Sequence, residues 1–97
     1  MYKGGYVYIM SNKHRTTLYV GVTSDLPGRV QQHKEHFYKN SFSDRYNVEC
    51  LVYYEAHDGI EEAIAREKQI KRWSRAKKET LINGFNPEWR DLYEEVL

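Results

Sequence analysis

The sequence predicts a single mixed α/β domain of the α+β kind, spanning residues 1–97, and three observations carry that prediction. A chain of 97 residues has interior enough for one apolar core and no second one. Three short segments, residues 6–10, 18–22 and 49–55, alternate or concentrate strand-forming side chains, and segments with helical spacing and capping residues separate and follow them. Hydrophobic residues at 40% and charged residues at 30% match an ordinary globular composition.

In residues 6–10, Val7 and Ile9 fall on one side and Tyr6, Tyr8 and Met10 on the other. Residues 18–22 repeat the pattern, with Leu18, Val20 and Val22 opposed to Tyr19 and Gly21, across a short polar link. The pair reads as a β-hairpin. If the aliphatic set shares one buried face, the period of two forces Tyr8 and Tyr19 together onto the opposite face. Ser24, Asp25 and Pro27 then supply a cap and a first-turn proline for a helix on which Leu26, Val30, His33 and Phe37 form a stripe, with Arg29 one turn before His33. Residues 39–47 read as polar turn, and 49–55 as a third strand. A capping-box-like Asp58 and Glu61 open the longest helix, running to about Trp73. Its apolar arc holds Ile60, Ala63, Ile64 and Ile70, and Glu67 falls in the middle of that arc. A further short helix is expected over 75–83, ending near Gly84, and a last turn or two over 87–93.

Composition also excludes. No apolar run approaches the roughly 18 to 20 residues of a membrane span, the first five residues lack the apolar core of a secretory signal, and a cytoplasmic location is expected. The single cysteine, Cys50, closes no intramolecular disulfide and makes no structural zinc site alone. Net charge is +1, which argues against a strongly basic glove for nucleic acid, but the charge is uneven. Residues 66–78 hold seven basic side chains against one acidic one, with Trp73 among them. Lys68, Lys71, Arg72 and Arg75 are the candidate phosphate contacts of that run, although solvated helix faces are often as basic.

Glu67 is the sharpest single signal, because an unpaired buried carboxylate costs several kcal/mol. Two compensations are open: an ion pair with Lys71 or an arginine, or a divalent cation such as Mg²⁺, which takes one or two carboxylates and keeps several waters. Arg29 offers a planar fork that matches a phosphate. Taken singly, Tyr8, Tyr19, Arg29 and His33 each have a structural reading: cross-strand packing, a solvated guanidinium, a half-buried imidazole. Together with Glu67 around one cleft, they make the inventory of a phosphodiesterase.

The residues Tyr6-Val7-Tyr8, then Tyr19-Val20-Gly21, then Arg29 and His33 resemble the GIY-YIG nuclease family, with Tyr6 standing where the family's name motif has its first glycine. The resemblance runs from about residue 6 to 92, and in length and wording the chain looks like the small stand-alone bacterial branch of UPF0213-like proteins. Residues 65–71 are similar to the family's second helix, whose glutamate holds the ion, and this places the metal role on Glu67. The family's late asparagine matches best at Asn86, with Asn83 close by. The resemblance implies a three-stranded antiparallel sheet flanked by helices and hydrolysis of DNA phosphodiester bonds with one Mg²⁺ or Mn²⁺ ion. It makes Tyr8, Tyr19, Arg29, His33 and Asn86 catalytic residues: the tyrosines orient or deprotonate water, either being the base, Arg29 steadies the phosphate, and His33 assists proton transfer. DNA, acted on in repair or recombination, and a separate targeting protein are the expected partners. The rival reading is a nucleic-acid-binding module that keeps the fold and does not cut.

Overall fold

The computed structural model describes residues 4–97; the N-terminal stretch in which no secretory signal is expected begins with residues 1–3, outside those described. The alternation of the first two segments produces the hairpin. Strands β1 (Gly5–Ser11) and β2 (Leu18–Thr23) pair antiparallel, with Tyr8 opposite Gly21 and Met10 opposite Tyr19. Asn12 closes the link between them, its Oδ1 accepting from the backbone N–H groups of Thr16 at 2.9 Å and Thr17 at 3.0 Å, the local side-chain bonding that favours asparagine in turns. Strand β3 (Cys50–His57) pairs antiparallel with the other edge of β1, so the sheet has the order β2-β1-β3.

That order has a consequence the alternation did not contain. As the middle strand, β1 is covered on both faces, and Val7, Tyr8, Ile9 and Met10 are all fully buried. One face gathers Val7, Ile9, Val20 and Val52 under Ala63, Ile70 and Ile82 from helices α3 (Ile60–Lys71) and α4 (Arg75–Phe85). The other gathers Tyr8, Met10 and Leu51 against Leu26 and Val30 of helix α1 (Leu26–Lys34) and Leu92. The phenol face expected opposite the aliphatic core is thus itself the floor of a second core. Gly5 lets α3 approach the sheet closely, since a Cβ there would stand 2.8 Å from that of Ala63.

Helix α1 starts as expected, with Asp25 Oδ1 accepting from the Gly28 N–H at 3.2 Å. It stops at Lys34, and His36 takes a left-handed φ of 54°. Phe37, expected on the buried stripe, therefore lies past the helix and is 59% exposed. The segment read as turn contains a one-turn helix, α2 (Phe42–Arg45), whose cap Ser41 accepts from the Asp44 N–H at 3.2 Å. Helix α3 is led by Gly59 rather than by a capping Asp58; Ala63, Glu67 and Ile70 are buried, while Ile60 and Ile64 sit half out at the rim. Helix α4 continues through Gly84 to Phe85. The turn expected over 87–93 forms later, as α5 (Tyr93–Val96), because the chain before it is pinned in an irregular loop by Asn86. Among the described residues no helix is long and apolar enough to cross a membrane.

Candidate active site

The site begins with a glycine. Gly21 lies directly across from Tyr8, and a Cβ there would fall inside contact distance of the Tyr8 Cζ and Oη. Without a side chain at 21, the Tyr8 ring lies over the neighbouring strand, its centroid 6.2 Å from that of Tyr19. The expected pairing of the two phenols on one face is what the structure shows.

Helix α1 then brings the imidazole to the phenol. His33 Nε2 and Tyr8 Oη are 2.9 Å apart, and the His33 ring lies edge-on to Tyr19 with centroids 5.1 Å apart. On its far side, His33 Nδ1 is 2.7 Å from Ser43 Oγ, and that hydroxyl donates onward to the Val48 carbonyl at 3.4 Å. Tyr8 is fully buried, and His33 and Ser43 are nearly so. Burial pushes the Tyr8 phenol well above its ordinary range, with the neighbouring Tyr19 adding to the rise and Arg29 opposing it. Burial, reinforced by the Arg29 charge, also lowers His33 to about 4, so the imidazole is neutral at pH 7. Tyr19, Arg29, His33, Phe42 and Ser43 line a cleft of about 460 Å³.

Glu67 is not among the residues lining that cleft. It is 8% exposed, on the α3 side of the sheet, and its Oε2 is 2.9 Å from Lys71 Nζ one turn along. Of the two compensations left open, the ion pair is the one observed. The acid therefore does not share the cleft of Tyr19, Arg29 and His33, and approaches the phenols only round the open edge of the sheet at β2. The two sides communicate round that edge, where Lys71 and Tyr19 line a shallow hollow of about 270 Å³. Lys71 is held above its ordinary range chiefly by the bond to Glu67, with Tyr19 a smaller contributor.

Among the described residues no three His, Cys, Asp or Glu side chains gather as a metal cage. A hard ion that keeps most of its waters needs no cage, and the Glu67 carboxylate already accepts one cationic group. Lys71, its side chain 55% exposed, is free to withdraw into solvent. A hydrated divalent ion at Glu67 would have to take the place of Lys71 Nζ on that carboxylate.

The remaining candidates, Lys71 beside Tyr19 excepted, lie apart from the phenol cluster. The Asn86 carboxamide is buried and committed to backbone: its Nδ2 donates to Val52 O at 3.1 Å and to Arg90 O at 2.8 Å, and its Oδ1 accepts from the Arg90 N–H at 3.1 Å. Asn83 is exposed, and its Oδ1 accepts from the Trp89 indole at 2.6 Å. Lys68, Lys71 and Arg72 are exposed on and just after α3. Arg75 is exposed too, but its guanidinium bonds the carbonyls of Arg15 and Thr16 in the hairpin link and the Glu79 carboxylate, tying α4 to that link. Sequence reasoning missed Ser43 and Phe42. The one signal for them was the Ser41-x-x-Asp44 spacing, a helix start inside a segment read as turn.

Comparisons with known proteins bear on the fold and its family. Residues 4–80 match a family model described as the GIY-YIG catalytic domain. The chain is similar to a UPF0213 protein of Syntrophus aciditrophicus, 37% identical over 83 residues that cover 86% of this chain and 93% of that one. A UPF0213 protein of Natronomonas pharaonis is 40% identical over 77 residues, covering 79% and 88%. The solution NMR structure of a UPF0213 protein from Bacillus halodurans matches with a TM-score of 0.56 and 29% identity, covering 90% of each chain.

Proposed function

The chain belongs to the GIY-YIG family of endonuclease domains, and from that premise we propose that it is a metal-dependent endonuclease that hydrolyses DNA phosphodiester bonds. The observation that supports the reading is the contact of buried Tyr8 with His33, whose ring lies beside Tyr19 and lines one cleft with it and with Arg29. Arg29 would hold a phosphate by its planar fork. Tyr8 is fully enclosed and too deeply buried to ionise alone, so a proton from water at the cleft would pass through the Tyr19 hydroxyl to Tyr8 only as Tyr8 gives its own to the neutral ring nitrogen of His33. Tyr19, partly exposed at the cleft wall, is placed to orient that water. Glu67 would hold one Mg²⁺ or Mn²⁺ ion, which when bound supplies charge stabilisation at the leaving oxygen. A cytoplasmic protein acting on branched DNA in repair or recombination, recruited by a separate targeting protein, is the setting in which this reading places it.

One observation favours a second reading. Lys71 sits on Glu67, as it would in a module that grips nucleic acid without a metal and does not cut. A nicking assay on plasmid and branched DNA, with and without Mg²⁺, separates the two. The nuclease reading expects Mg²⁺-dependent nicking by the wild type and a loss of about 100-fold or more in Glu67→Ala and Arg29→Ala, as when charge-stabilising groups are removed. Equal nicking by all three proteins would mark a contaminant. Salt-sensitive binding by all three with no nicking would establish the binding module instead.

A further inference from the structure

We propose that Ser43 is a positioning residue that holds His33 in the tautomer with its proton on Nδ1, which keeps Nε2 open to receive the Tyr8 proton. The catalytic consequence rests on the nuclease reading; the tautomer is a property of the folded protein whatever its activity.

The argument is a count of protons along one buried chain. Tyr8 Oη, His33 Nε2, His33 Nδ1, Ser43 Oγ and the Val48 carbonyl form three successive contacts of 2.9, 2.7 and 3.4 Å. A carbonyl only accepts, so the last contact needs the single Ser43 proton. Ser43 Oγ then has lone pairs alone to offer His33, and the middle contact needs a proton on Nδ1. A neutral imidazole carries one ring proton, so Nε2 is an acceptor and the Tyr8 O–H donates to it. Every contact holds one proton and all point the same way.

The opposite tautomer breaks this order twice. Ser43 would have to turn its proton to Nδ1 and abandon the carbonyl of Val48, a wholly buried residue. Tyr8 would accept from Nε2, and its own proton would have to turn out of the chain to the neighbouring Tyr19 hydroxyl, with the Arg29 guanidinium beside it offering only donors. Ser43 is held for the task by its position in α2, capped by Ser41 and tied back by the Val48 N–H, which donates to the Ser43 carbonyl at 3.1 Å.

The test is nitrogen NMR of the His33 ring, with nicking measured beside it. The wild type should show a protonated Nδ1 and an unprotonated Nε2 at pH 7, and Ser43→Thr should keep that pattern. In Ser43→Ala the two nitrogens should exchange or mix their protonation, and the maximal nicking rate should fall about 10- to 100-fold, as for other loss of a histidine's orienting partner, with KM little changed. A wild-type ring protonated on Nε2, or an unaltered His33 spectrum in folded Ser43→Ala, would overturn the proposal. Protonation as expected in a wild type that never nicks would support the positioning role and sink the nuclease reading.

Discussion

At the scale of single residues the site depends on one missing side chain and one neutral ring. Gly21→Ala would drive a methyl into the Tyr8 phenol, and because that ring is enclosed on its other side it has little room to yield. The expected cost is about 1 to 3 kcal/mol, the range for overpacking a well-filled core, with loss of the Tyr8–His33 contact, checked by urea unfolding and by the His33 ring signals. His33 titrates at about 4 in the folded protein against 6.5 for the free group. Between those values the unfolded chain binds more protons, so stability is full above pH 6.5 and falls as pH drops toward 4, by roughly 3 kcal/mol at the full shift. Urea unfolding between pH 4 and 8 should show that slope in the wild type and a flatter one in His33→Phe. His36 works in the other direction: bonds to Glu49 and Asp44 raise its pKa, so its contribution is complete below pH 6.5 and is lost as pH climbs through the raised value.

At the scale of elements, the short and irregular pieces decide most. The hairpin was readable because a period of two states which side chains share a face, and α1 because a cap and a proline mark its start. A four-residue helix such as α2 shows no period at all, and α5 was misplaced because nothing local announces that a side chain will bind backbone 34 residues away. Asn86 does this, reaching from the end of α4 to Val52 in β3. Asn86→Ala would leave the carbonyl of buried Val52 short of a donor and free that of exposed Arg90, and the expected loss is about 1 to 3 kcal/mol. Urea unfolding would measure it, and a change under about 0.5 kcal/mol, the level of an ordinary surface substitution, would contradict an architectural role for this side chain.

At the scale of the molecule the question is which surface meets DNA. The net charge of +1 gives no general attraction, so under the proposed function binding would come from the local basic run. Within it Arg75 is occupied by the hairpin link and Lys71 by Glu67, which leaves Lys68 and Arg72 as the exposed cations on or next to α3, with Lys77 over Trp73 on α4. Each phosphate neutralised contributes about −0.9 to the slope of log affinity against log salt on duplex DNA. Replacing Lys68 and Arg72 by glutamine should flatten that slope by roughly 2, as read by fluorescence anisotropy over a salt series. An unchanged slope would move the DNA face elsewhere.

What the sequence determined by itself was everything that a short backbone period can carry. Tyr8 and Tyr19 share a face, Arg29 stands one turn from His33, and Glu67 has Lys71 one turn away, because strand and helix geometry relate residues a few positions apart. Only the tertiary structure decided that β1 runs through the middle of the sheet, that Glu67 lies across that sheet from the phenols, and that Ser43 closes on His33. Those relations follow from which strands pair and which loops fold back over them. They are set by the burial of distant segments against one another, a quantity that local spacing does not contain.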